Sequence, residues 1–178
     1  MSDWERVILI GSAMPVISPL NVCSVLAATG SFGAPGSGTW PSANRAIYVP
    51  FRLGMPYLVR FLFCLNGATV SGNVDVGVYD EKGTRLVSAG STVQSGTTAI
   101  QTFNVTDTLL SEGVYYMALA LSNTTGTFRR VSGIITGELR GLGVVDQDSA
   151  FPLPATATLS TPGSAYLPLF GVASRTVL

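Results

Sequence analysis

The chain has 178 residues, with ten acids balanced by ten bases (nine Arg and Lys82) and no histidine. Charged residues make 11% of it, against about 25% in an ordinary soluble domain, while 47% is apolar. A neutral chain without a basic run lacks the footprint of a nucleic-acid binder, and without His the commonest general base and metal ligand are gone.

Residues 1–43 are apolar but punctuated by Gly11, Pro15, Pro19, Gly30, Gly33, Pro35, Gly36, Gly38 and Pro41. That spacing forbids a long helix, and the polarity of a solvated tail is missing, so an extended apolar arm is expected. Val7 to Leu20 is too short for a bilayer span. Its prolines, with Asp3 and Glu5 beside a lone Arg6, also argue against a secretory signal.

From 44 to 140 the pattern is that of strands. Ile47 to Phe51 and Leu58 to Leu65 come first, the second apolar enough to be buried on both faces. Next, Val74, Val76 and Val78 alternate with Asn73, Asp75, Gly77 and Tyr79, which predicts a half-buried strand with an outward polar side. Asp80-Glu81-Lys82-Gly83 is a turn, and Thr84 to Ser88 is its hairpin partner. Ala99 to Val105, Val114 to Leu121 and Phe128 to Thr136 complete the set, and Thr106 to Ser111 offers one helical turn at most. Turn signals recur about every 8–12 residues, the spacing of a sandwich or barrel. Residues 141–178 carry Pro152, Pro154, Pro162 and Pro168, which predicts a second extended, Pro-rich arm at the C-terminal side.

Chemistry is sparse. Cys23 and Cys64 have no metal spacing and read as buried free thiols. Asp146-x-Asp148 falls short of the six or so oxygens Ca²⁺ needs and reads as solvated loop acids. Asp75, Asp80 and Glu81 share one hairpin, but turn and strand-face roles outweigh glycoside hydrolysis. The Gly30–Gly38 run opens no helix and lacks Lys-Ser or Lys-Thr, so it is a linker and not a phosphate cradle. No Ser has a His partner, and a Ser-Lys pair would rest on Lys82 in a turn. No catalytic residue, cofactor or metal site is expected. Trp40, Tyr48, Tyr57 and Tyr79 offer sugar-stacking faces, although core or interface packing outweighs glycan contact for such residues.

The order Ile47-Tyr48-Val49-Pro50-Phe51-Arg52, Asn73 to Asp80, Gly83 to Ser91, Val105 to Leu110 and Gly113 to Leu119, with the ending Leu167-Pro168-Leu169-Phe170-Gly171, resembles a group of small virion proteins of tailed bacteriophages, mostly of undefined role. The resemblance implies a subunit made in the bacterial cytoplasm and located in the virion, with capsid, portal or tail subunits as partners. By analogy it also implies a homo-oligomer, a trimer being favoured. The expected fold is all-β, a single jelly-roll-like antiparallel sandwich over 44–140 with an arm at each end. The expected function is non-enzymatic: capsid decoration or part of a fibre, with neither nucleic acid nor membrane as partner. Trp4, Ile8, Ile10, Phe32 and Trp40 are the expected assembly anchors on the first arm, and Phe151, Tyr166, Leu169 and Phe170 on the second. A host-glycan-binding module using Trp40, Tyr48, Tyr57 and Tyr79 is the alternative.

Overall fold

Period-two alternation drives this chain into sheets, and it is hidden wherever a strand is covered on both faces. The computed structural model describes residues 15–17, 21–26 and 33–175, with side chains for Ser24 and for 36–175. Among them the strands are β1 (Pro15–Ile17), β2 (Asn21–Leu26), β3 (Gly33–Thr39), β4 (Ala46–Leu53), β5 (Tyr57–Leu65), β6 (Asn73–Asp80), β7 (Arg85–Ser88), β8 (Thr92–Val93), β9 (Ile100–Leu110), β10 (Gly113–Leu121), β11 (Thr127–Ser132), β12 (Val145–Gln147) and β13 (Phe170–Ala173). One short helix, α1 (Thr136–Gly141), lies between β11 and β12.

All pairings are antiparallel. A front sheet runs β1-β2-β13-β5-β9 and a back sheet β12-β4-β10-β6-β7, with β8 also on β6, while β3 and β11 form a two-stranded ribbon. The chain is therefore an all-β sandwich. Its main core joins Ile47, Val49, Phe51 and Leu53, Val74, Val76 and Val78, and Met117, Leu119 and Leu121 of the back sheet to Val59, Leu62, Cys64, Phe103, Phe170 and Val172 of the front sheet. Each such side chain contributes about 1.5–3 kcal/mol on burial. At the ribbon end Trp40 stands edge-on to Phe128 and Tyr166, both at 5.4 Å, and its Nε1–H donates to the Arg45 carbonyl (3.1 Å).

A second cluster lies on the other side of the back sheet. Ala46, Tyr48, Tyr79, Ala118 and Ala120 are covered there by Ala150 and Leu153, with Phe151, Ala157 and Leu159 half-buried beside them. The covering segment, residues 148–160, is a strap. It leaves β12, crosses to the β6–β7 hairpin, and returns so that Ser160 and Asp146 exchange backbone hydrogen bonds (both 3.0 Å). On the far side Arg85 N–H donates to the Ala155 carbonyl (2.9 Å) and Ala157 N–H to the Gly83 carbonyl (2.8 Å). Both edges of the back sheet are thus covered by one segment.

Several expectations are corrected. Residues 141–175 are not an extended arm: β12 pairs with β4, and β13 sits in the interior of the front sheet between β2 and β5. Pro168 does not prevent this because the strand starts two residues later, where every N–H can pair. In the first arm β2 pairs with β13, and the Gly-rich run ends as β3 on β11 rather than as a linker. Thr106 to Leu110 of the expected helical turn belong to β9, and the helix falls instead at 136–141. Asp75 is wholly buried, not on a solvated face, because the strap lies over it. Asp146 is 6% exposed and is no solvated loop acid.

Candidate functional site

At the ribbon end the described surface holds a cleft of about 430 Å³. It is lined by Ser37, Gly38, Thr39 and Pro41 and by Arg130, Ser164, Ala165 and Tyr166. Its shape follows from glycine placement. Phe128 and Arg130 of β11 face Gly38 and Gly36 of β3, so the facing strand presents almost no side chain. A Cβ on Gly38 would collide with Nε and Cδ of Arg130, which shows that the arginine stem lies across that glycine. The guanidinium then rests over the Tyr166 ring, 5.4 Å from its centroid. The phenol of Tyr166 donates to the Gly38 carbonyl at 2.6 Å, and burial pushes its pKa up, so it stays a neutral donor.

The segment carrying Ser164 is pinned by Asp146. Its Oδ2 accepts from Gly163 N–H (2.9 Å), and the Ser160 hydroxyl donates to its carbonyl (2.7 Å). Arg45 lies 3.6 Å from Asp146 and 2.8 Å from Asp148, and its Nη1 also reaches Ser164 Oγ (3.4 Å). The Asp148 hydrogen bond raises the Arg45 pKa, and the same bond lowers that of Asp148. Ser37 Oγ is fixed too, accepting from Ala68 N–H (2.7 Å) and donating to Thr127 Oγ1 (3.3 Å). The cleft therefore offers one guanidinium, several hydroxyls and the flat face of Pro41, with no acid in its lining. That set can bind and orient a ligand.

The residues singled out in the sequence fall elsewhere. Trp40, Tyr48, Tyr57 and Tyr79 are all buried, at most 7% exposed, and cannot stack on a sugar. Trp40 and Tyr57 belong to the main core, while Tyr48 and Tyr79 pack edge-on at 5.2 Å beneath the strap. Desolvation raises the pKa of both tyrosines, that of Tyr48 to about 12. As assembly anchors, Trp40, Tyr166, Leu169 and Phe170 are likewise corrected: they fill the chain's own core, because the C-terminal segment folds back into it. Phe151 is half-buried against the back sheet. Trp4, Ile8, Ile10 and Phe32 lie outside the described residues.

Of the remaining candidates, Cys64 is a free, buried thiol whose pKa burial pushes up; the Cys23 side chain is not among those described. Asp80 has a structural role: its Oδ1 accepts from Lys82 N–H (3.0 Å) and Thr84 N–H (2.7 Å) in the turn. Among the described residues no group of three or more His, Cys, Asp or Glu is placed to hold a metal, and no helix is long and apolar enough to cross a membrane. Sequence reasoning missed Arg130, Gly38 and Ser164. Only the glycines at 36 and 38 hinted at a close approach, and their partner strand was not identifiable. No protein-family model, curated protein or solved structure matches the chain.

Proposed function

We propose that this chain is a non-enzymatic structural component of a tailed-bacteriophage virion, decorating the capsid or forming part of a fibre, and that it works as a homo-oligomer, a trimer by analogy. A jelly-roll-like wiring of the sandwich belongs to the same reading. The observation that carries it is the state of β9. Among the described residues this edge strand pairs only with β5, and Asp107 is its single charge. Monomeric proteins guard long edges with charge, proline, bulges or covering segments. The back sheet follows that rule through the strap. Among the described residues, the devices seen in β9 are a register shift opposite Val59 and Phe61 and the exposed Arg60–Asp107 pair at 3.1 Å.

Exposed apolar side chains flank both ends of this edge. Leu109 is 68% and Met55 72% exposed near the Tyr57–Leu110 end. Val93 is 65% exposed and Ile100 39% near the other, where Gln101 Nε2 donates to the Val93 carbonyl (2.8 Å). Such a border suits subunit contact. Light scattering on the purified chain tests this: self-association is expected, weakened by Leu109→Lys combined with Met55→Lys without loss of the thermal transition. A monomer at all concentrations, or assembly indifferent to those substitutions, would overturn the β9 interface. Location in the particle is tested by labelling virions with an antibody against the chain. Absence of label from intact particles would sink the virion reading.

A further inference from the structure

The geometry points to the ribbon-end cleft as a binding site for a carboxylate-bearing sugar, with Arg130 as the carboxylate-binding group. This is independent of the virion reading, and it does not use the aromatic residues that the sequence suggested for glycan contact.

Three features of Arg130 carry the assignment. First, none of the ion pairs among the described residues involves it. Its guanidinium, a planar fork matched to a carboxylate, keeps those donors available. Second, it is held before any ligand arrives: the stem crosses Gly38 and the head rests on Tyr166, whose own hydroxyl is tied to the Gly38 carbonyl. A pre-oriented side chain loses less freedom on binding. Third, the nearby acids do not repel an incoming anion as they otherwise would. Asp146 and Asp148 share Arg45, which offsets one of their two charges, and neither carboxylate lines the cleft.

The rest of the cleft specifies more than an anion. Thr39 and Ser164 supply hydroxyls that can donate or accept, Ser37 Oγ, already donating to Thr127, can still accept, and Ser37 and Ser164 are positioned by Ala68 N–H and by Arg45. Pro41 adds a flat apolar surface suited to the C–H face of a ring. The volume, about 430 Å³, lies within the range of small-ligand pockets. A carboxylate at one end of a hydroxyl-bearing ring matches this arrangement. A uronic acid unit within a polysaccharide and a free sugar acid share that chemistry.

The test is an amide-shift NMR titration of the full chain with glucuronate, glucose, acetate and a short oligogalacturonate. Saturable shifts at Gly38, Ser164 and Ala165 are expected with glucuronate, and binding at least about tenfold weaker with glucose or acetate. Tighter binding of the oligomer than of glucuronate identifies the polymer as the source, and the reverse order identifies the free acid. Arg130→Gln should abolish the shifts while Trp40 fluorescence stays native. If that variant fails to fold, Ser164→Ala should weaken binding on an intact core. Acetate binding as tightly as glucuronate, no saturable shifts with any acid, or unchanged binding in a folded Arg130→Gln protein would each overturn the assignment.

Discussion

Asp75 sits on the side of β6 that alternation assigns to solvent, yet its carboxylate is fully buried beneath the strap. Oδ2 accepts from Leu153 N–H at 3.0 Å, whereas Oδ1 has no hydrogen bond. Desolvation raises its pKa above the ordinary 3.8, against smaller opposing effects from the Leu153 amide and Arg85. A carboxyl whose folded pKa exceeds its unfolded one stabilises the fold below the unfolded value, and that contribution is lost as pH rises through the folded value. Asp148, lowered by Arg45, acts in the opposite sense. The informative quantity is therefore a difference. Thermal melts from pH 4 to 8 should show Asp75→Asn gaining stability relative to the parent as pH rises, with the two converging in acid. Parallel curves would disprove this role for Asp75. At the cleft, Gly38→Ala displaces the flexible Arg130 side chain from its seat, so urea unfolding should change by no more than about 1 kcal/mol.

The strap shows how an irregular element can complete a sheet. Leu153 is buried beside Tyr48 and Tyr79, and its carbonyl accepts from Arg85 Nη1. The next carbonyl, of Pro154, accepts from the Tyr79 phenol at 2.6 Å. Leu153→Ala should destabilise by about 2–5 kcal/mol in chemical unfolding, and Tyr79→Phe by about 1 kcal/mol. Hydrogen exchange on the Leu153→Ala protein should show faster exchange at Arg85 and Ala157, whose amides bond across the strap. Unchanged exchange there would mean that the strap is held elsewhere.

Elements of this kind were the least legible in the sequence. Ile47 to Phe51, Leu58 to Leu65 and Val114 to Leu121 fall within β4, β5 and β10, and the turn at Asp80 to Gly83 stands as read, because local pattern determines each of them. The double burial of β10 was also readable, since Tyr116, Ala118 and Ala120 alternate with Met117, Leu119 and Leu121 and both sets are apolar. What covers the second face was not. The strap's prolines resemble those of a loose arm, and its register depends on contacts made at Asp75, Tyr79 and Gly83, far away in sequence. The cleft was illegible for the same reason: β3 and β11 are Gly-rich and Arg-containing strands whose meeting is a property of the whole fold.

At the scale of the whole molecule, the scarcity of charge has two separate resolutions. Much of the apolar content that suggested arms clinging to a neighbour is absorbed internally, as Tyr166, Leu167, Leu169, Phe170 and Val172 enter the main core. Among the described residues, the large apolar side chains that remain outward are Met55, Val93, Ile100 and Leu109 beside the ends of β9, with Leu86 and Ile135 elsewhere. Substituting Val93→Lys with Ile100→Lys at the second end should weaken self-association while changing folding stability by no more than about 0.5 kcal/mol, as expected for surface sites. Sedimentation velocity at several concentrations would measure the first and urea unfolding the second.

The position of β13 also sets a timetable. Ser24 Oγ donates to the Pro168 carbonyl (2.6 Å) and accepts from Phe170 N–H (3.1 Å), a seam joining residues 144 and 146 positions apart. During synthesis β2 and β5 therefore emerge long before the strand that must lie between them. Until it arrives each holds an open hydrogen-bonding edge, the condition under which nascent chains aggregate or recruit chaperones. Folding should be slow for the chain's size, since long-range pairing dominates it. A ribosome stalled before Leu167 should carry a front sheet that has not closed.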